Sequence, residues 1–231
     1  MPRMLSSAAM SRHAKPHLRC ADCRMHRSLC ICALLPRITT RTRVVLVLHQ
    51  LEARKTTNTG ALAARCLENS AVVYRGRAPG GGAADPLDEQ LSIETDPLLL
   101  LYPHASATPL DAWRGTTKPI TLIVPDGTWP QAVRTCRRLR ARAAITCVSL
   151  PAPAIAVDRL RDSGRPDRLA TLEAVALALG VLEGPAVGDA LMRVYRIMTQ
   201  RTLWTNGRVS TADVTGGIPA GVRSHEPLKL G

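Results

Sequence analysis

Three short apolar runs in this chain meet a proline within two residues of their ends, and that punctuation restricts the fold more than any other feature. Leu98–Leu101 leads into Tyr102-Pro103, Ile120–Val124 into Pro125-Asp126, and Ile145–Leu150 into Pro151-Ala152-Pro153. Runs this short, bounded by turn residues, read as buried strands. A proline closes such a strand because it lacks the ladder donor. Val44–Leu48 and Ala71–Tyr74 add two more strands. Helical spacing covers Thr59–Glu68, Trp129–Arg140, Thr171–Leu182 (with Thr171 as its cap) and 189–204. Strands alternating with helices predict an α/β fold with a mostly parallel sheet. In such a sheet the proline-stiffened loops either surround one crevice at the carboxyl ends of the strands, where ligands bind, or simply punctuate the strands.

At 231 residues and 45% hydrophobic, the chain suffices for one domain with appendages. We divide it into a basic arm at 1–18, a cysteine-bearing segment at 19–43, a main α/β domain at 44–204 and an irregular Gly-rich tail at 205–231. Gly80-Gly81-Gly82 reads as a loop. The formal net charge of +13 favours a polyanionic partner. Aromatic residues are only 3% of the chain, which excludes an extended base-stacking platform. No apolar run is long enough to span a membrane, and no obligate protein partner is evident. The arm shares its basic, Ser/Ala-containing composition with organellar transit peptides, but the cysteines begin straight after it, and a solvated arm is expected.

Four of the seven cysteines, Cys20, Cys23, Cys30 and Cys32, fall within thirteen residues as CxxC followed by CxC. Four thiolates can surround Zn2+ tetrahedrally and leave no open position for water, so the expected metal is structural. Redox chemistry and four unrelated thiols are the alternatives, and His26 is a weaker candidate ligand. This cysteine usage fits a reducing compartment, hence a cytoplasmic protein.

The tetrapeptide Asp126-Gly127-Thr128-Trp129 places a carboxylate, a hydroxyl and an indole where a buried strand stops and a basic helix starts. Asp126 can accept a proton or cap that helix. Trp129 can stack on a base or pack in the core with Ala132, Val133 and Cys136. Arg134, Arg137, Arg138 and Arg140 follow on the helix, and Arg159, Arg161, Arg165 and Arg168 fill a later loop. Together with Arg41, Arg43, Arg54 and Lys55 they either form a solvated surface or hold nucleic acid phosphates with a steep salt dependence.

Taken in order, Cys20/Cys23/Cys30/Cys32, His49-Gln50 with Glu52, Asn58-Thr59, Leu101-Tyr102-Pro103, Asp126-Gly127-Thr128-Trp129, Arg159-Leu160-Arg161 and Thr171-Leu172-Glu173-Ala174 resemble the motifs of the DTW-domain proteins. The resemblance runs from about residue 19 to about residue 200. It implies a SPOUT-like fold with a C-terminal knot, and transfer of the 3-amino-3-carboxypropyl group of S-adenosylmethionine to N3 of a tRNA uridine. An RNA methyltransferase of the same fold class and a non-catalytic zinc-containing RNA-binding protein are the rival readings. The implied catalytic residues are Asp126, Thr128 and Trp129. Leu101, Tyr102, Pro103, Asp126, Gly127, Leu150, Thr171 and Glu173 would border the S-adenosylmethionine, although Glu173 near a helix start can equally serve the helix dipole. Arg43, Arg54, Lys55, Asn58, Arg134, Arg138, Arg159 and Arg161 would face the RNA. The chain departs from the family pattern at His49-Gln50-Leu51, Asp158 and Ala170.

Overall fold

The computed structural model describes residues 16–53, 55, 58–75, 97–141, 144–151 and 169–223. Its centre is a sheet of β1 (Arg43–His49), β2 (Ser70–Arg75), β3 (Leu98–Leu101), β4 (Thr108–Pro109), β5 (Thr121–Asp126) and β6 (Ile145–Ser149). The spatial order is β2-β1-β5-β3-β6-β4, and every pairing is parallel. The fold is therefore α/β with a parallel sheet, as the alternation of strands and helices predicts. Five of the strands coincide with the apolar runs. The two-residue β4 is too short to leave a periodic signal.

Continuous apolar strands are what burial on both faces requires. Leu46, Leu48, Leu122 and Val124 point to one face, where they join α2 (Gly60–Cys66), α4 (Thr171–Leu182) and α5 (Pro185–Thr205) in the larger core. Val45, Val47 and Ile123 point to the other face and meet Cys136 and Leu139 of α3 (Trp129–Arg140). A four-residue turn of helix, α1 (Gln50–Ala53), follows β1 directly.

The expectation that Pro125 ends its strand is corrected. β5 continues to Asp126, with Pro125 opposite Val47 of β1. Its pairing with β3, however, stops at Ile123. Pro125 thus lies where β5 has a single partner, an edge-like position that tolerates a missing donor.

Glu183, just past α4, fastens that helix to the start of β1. Its Oε1 accepts from the Thr42 amide at 2.8 Å and from the Thr42 hydroxyl, while Arg41 approaches Oε2 at 3.6 Å. The α4–α5 hairpin closes on two glycines. A Cβ on Gly188 would stand 2.9 Å from the Ala176 carbonyl oxygen and 2.9 Å from the Gly180 Cα, so a larger residue would force the helices apart. Met25, Leu29 and Ile31 of the cysteine-bearing segment belong to the same core as α4 and α5. Among the described residues no helix is long and apolar enough to cross a membrane.

Candidate active site

β1 and β5 are neighbours whose chains depart in opposite senses. From β1 the chain passes through α2 on one face to β2, and from β5 through α3 on the other face to β6. Such a reversal opens a crevice at the carboxyl rim of the sheet. Asp126, paired with Leu48 at the end of β5, stands on that crevice.

Its carboxylate turns toward α2 and α4. Oδ1 accepts from the Thr171 hydroxyl at 2.8 Å and Oδ2 from the Asn58 side-chain amide at 2.9 Å. Asn58 in turn accepts the Ala61 amide at 2.9 Å, and Thr59 accepts the Leu172 amide at 3.2 Å. The carboxylate is therefore gripped where the starts of two helices are stitched together. Gly60 makes the close fit possible, because a Cβ there would stand 2.4 Å from Oδ2. Burial pushes the Asp126 carboxyl above its ordinary value, the Thr171 and Asn58 hydrogen bonds oppose that shift, and the Glu52 carboxylate adds to it. A carboxylate raised in this way is a better proton acceptor.

The helix-cap alternative for Asp126 fails, because the residue before α3 is Thr128, whose amide donates to Gln131 Oε1 at 2.7 Å. That contact gives Thr128 a helix-start role, with its side chain exposed. A Cβ on Gly127 would meet Gln131 Oε1 at 2.9 Å and His49 Cβ at 3.5 Å, which brings the end of β1 to the same rim. Thr171 is likewise not the cap of α4. It occupies the first helical position after Ala170, and its hydroxyl is spent on Asp126. Glu173 is 1% exposed and accepts the Ala170 amide at 3.1 Å, the contact expected of an acid satisfying a helix start.

On the opposite face of the rim, Trp129 and Tyr102 approach with ring centroids 6.3 Å apart and planes tilted by 52°. Trp129 remains 38% exposed, so it is not a core residue. The Tyr102 amide continues the ladder to the Val148 carbonyl at 3.0 Å, and burial raises the Tyr102 hydroxyl pKa. Because β5, β3 and β6 are adjacent and parallel, the Asp126, Tyr102-Pro103 and Leu150-Pro151 turns all leave the same edge. Leu101 is buried, and Leu150 packs against the larger core.

The candidate RNA contacts separate. Arg134 and Arg138 are exposed on α3, the helix that begins at the rim. Lys55 is paired with Glu52. Asn58 is half-buried and its side-chain amide is engaged with Asp126. Arg43 is level with Thr121 at the amino end of the strands, five positions from Leu48 and so about 17 Å from the rim at ~3.3 Å per residue. Arg54, Arg159 and Arg161 lie outside the described residues, as do Arg165, Arg168, Asp158 and Gly80-Gly81-Gly82. The roles of Gly60 and Asn58 are the ones the sequence left unread. An Asn-Thr-Gly step before a helix signals a helix start, but nothing local points to a carboxylate 66 to 68 residues away.

In the segment before β1, the Sγ atoms of Cys20, Cys23, Cys30 and Cys32 all lie within 4.8 Å of one another. Cys20–Cys32 and Cys23–Cys30 are each separated by 3.7 Å. A tetrahedron with Zn–S bonds near 2.3 Å has S···S edges of about 3.8 Å, so the donor set fits zinc. The CxxC turn closes through Cys20 N–H to the Met25 carbonyl at 2.8 Å and Arg24 N–H to the Cys20 carbonyl at 3.1 Å, with Arg24 at φ 61°. His26 serves this turn through Ser28, whose amide donates to its Nδ1 at 3.3 Å, and stands apart from the sulfur group. Burial raises the Cys23 and Cys32 thiols, an opposition to thiolate formation that a bound divalent cation would relieve.

Residues 17–203 match the family model described as the DTW domain. The chain is 30% identical over 196 residues to tRNA-uridine aminocarboxypropyltransferase 2 of Drosophila melanogaster, covering 83% of this chain and 77% of that protein. It is 28% identical over 186 residues to the Macaca fascicularis protein of the same name and 28% over 197 residues to that of Mus musculus. The matched region spans 58% and 62% of those two mammalian relatives. Among solved structures, the SAM-dependent rRNA:acp-transferase Tsr3 from Vulcanisaeta distributa superposes with a TM-score of 0.48 at 21% identity, over 76% of this chain and 86% of that one.

Proposed function

The chain belongs to the DTW-domain family, and on that premise we propose that it transfers the 3-amino-3-carboxypropyl group of S-adenosylmethionine to N3 of a uridine in tRNA. The observation that carries this reading is Asp126, a half-buried carboxylate of raised pKa gripped at the rim where β1 and β5 part. Asp126 accepts the N3 proton as N3 bonds to the methionine γ-carbon. The C–S bond breaks and its electron pair stays on sulfur, which turns the cationic donor into neutral methylthioadenosine. Uridine N3 is a weakly acidic imide, so a positioned base contributes on the order of 10²–10⁴-fold. Orientation contributes the rest, because the donor has three electrophilic carbons and only in-line placement selects one.

Thr171 and Asn58 act as positioning residues, each fixing one carboxylate oxygen. Trp129 and Tyr102 each offer a ring face for adenine or for the target uracil, and Leu101, Pro103 and Leu150 complete an apolar wall. Arg134 and Arg138 take phosphates. Cys20, Cys23, Cys30 and Cys32 hold a structural zinc with no open position, so the metal contributes stability and not chemistry. The parallel strand order supports a SPOUT-like arrangement, and a C-terminal knot is part of the same proposal, as is the division at residues 18, 43 and 204. Seven cysteines without a disulfide among them support a reducing, cytoplasmic location.

Nucleoside mass analysis of tRNA incubated with the protein and S-adenosylmethionine tests the assignment. A uridine heavier by one aminocarboxypropyl group, with methylthioadenosine as by-product, is expected. A methylated nucleoside with S-adenosylhomocysteine would establish the methyltransferase reading instead.

A further inference from the structure

Arg201 of α5 is 3% exposed, and among the described residues no carboxylate pairs with it. Its guanidinium instead donates to four backbone carbonyls from two segments far apart in sequence. Nη1 reaches the carbonyls of Cys30 at 2.9 Å and Leu29 at 3.3 Å. Nη2 reaches Gly217 at 2.9 Å and Gly216 at 3.4 Å, and Nε reaches Gly217 at 3.1 Å. Gly216 and Gly217 adopt φ of 73° and 67°, a left-handed pair of residues at which side chains would be strained. A buried cation bound only by carbonyls still needs opposite charge nearby. Four thiolates around a divalent ion carry a net charge of minus two, and one of the four belongs to Cys30, whose carbonyl Arg201 holds.

We propose that Arg201 is the counter-charge of a metal–thiolate centre, and that through it metal occupancy fixes residues 210–222 onto α5. The docked segment has further contacts that would loosen together. Thr215 N–H donates to Gln200 Oε1 at 2.7 Å, Trp204 Nε1–H to Thr211 Oγ1 at 3.0 Å, and Val214 is buried in the larger core. Thr202 approaches Met25 Sδ at 3.9 Å, one helical step from Arg201. Without metal the dianionic centre is gone, and the buried guanidinium keeps only carbonyl partners. The cation then draws water to itself and releases the Gly216 and Gly217 carbonyls. A lysine could not replace this residue, since only a planar fork spans acceptors on two sides.

The test uses the full chain and reads metal affinity and amide exchange, neither of which depends on transferase turnover. Competitive chelator titration with zinc should show one ion per chain, weakened about 10–100-fold in Arg201→Met, the range expected when a partner of metal ligands is lost. Arg201→Lys should fall between Arg201→Met and wild type. Chelation of zinc from the wild-type protein should speed exchange at the Thr215 and Gly217 amides more than in β1 or β5. That measurement decides the matter even where Arg201→Met does not fold. Absence of bound metal in the wild-type protein, wild-type zinc affinity in Arg201→Met, or unchanged exchange at Thr215 and Gly217 after chelation would each overturn the proposal.

Discussion

The thiolate cluster draws its four sulfur atoms from thirteen residues of continuous chain, from Cys20 to Cys32. The Asp126 carboxylate is held by groups at positions 58, 60 and 171. The first site is assembled by short turns and closes on itself, so a bound ion would meet four sulfurs and nothing else. The second exists only once the sheet and two helices have come together, and it opens on the rim where Trp129 is exposed. Local assembly suits a fixed structural ion. Assembly by the whole fold suits a group that must be oriented toward an incoming substrate, because its position is then set by the most rigid part of the molecule.

The sharpest way to break this comparison is to damage the local site. Zinc binding by small Cys-rich folds is worth about 10–16 kcal/mol in apparent terms, and the apolar residues between the cysteines share the core of α4 and α5. Cys23→Ser should therefore abolish stoichiometric metal and lower the melting temperature more than any change at the rim. A variant without metal and with unaltered thermal unfolding would show that the segment is an appendage.

Gly60→Ala tests the other half. Its Cβ would collide with Asp126 Oδ2 and stand 3.2 Å from Leu48 Cδ1, so the carboxylate must shift. Misplacement of a reacting group by ~1 Å can cost about 10²-fold in rate. Single-turnover transfer should fall on that scale with zinc content unchanged.

Thr171→Val removes one hydrogen bond from Asp126 Oδ1. Stability should drop by about 1 kcal/mol in chemical denaturation. The Asp126 carboxyl should rise further, because the bond that opposed burial is gone. The sign for stability follows. A carboxyl whose folded pKa exceeds its unfolded value contributes stability that is fully present below the unfolded pKa, about 3.9, and lost as pH rises through the folded pKa. The Thr171→Val deficit should thus be largest at neutral pH and shrink on acidification through that window.

Trp129→Ala should leave the metal and the melting temperature unchanged and weaken only cofactor or RNA binding, by about 1–3 kcal/mol. Calorimetric titration of S-adenosylmethionine and of tRNA separates the two partners. Unchanged affinity for both would remove the indole from the site.

How much was legible follows the same division. The strand at Leu98–Leu101 and the helices at Trp129–Arg140 and Thr171–Leu182 coincide with their sequence expectations, since apolar periodicity and turn residues act locally. The cysteine set was legible for the same reason. Pro125 misled, because tolerance of a proline depends on whether the neighbouring strand still pairs at that level, which only the register with β3 reveals. Thr171 was read as a cap, and the bond from Asn58 to Asp126 went unread, for a related cause. A hydroxyl or an amide at a helix start has a local use and a distant one, and the distant one was decided by Asp126 arriving at the rim.

The most direct test of the central claim is the pH dependence of single-turnover aminocarboxypropyl transfer in the wild type and in Asp126→Asn. The introduced amide can keep both contacts, accepting from Asn58 and donating to the Thr171 hydroxyl, so the fold should survive while proton acceptance is lost. We predict a wild-type rate that falls on acidification through a pKa above the ordinary carboxylate value, and a variant about 10²–10⁴-fold slower that lacks this acid limb. Near-wild-type transfer by Asp126→Asn, with the same acid limb, would contradict the assignment of Asp126 as the base.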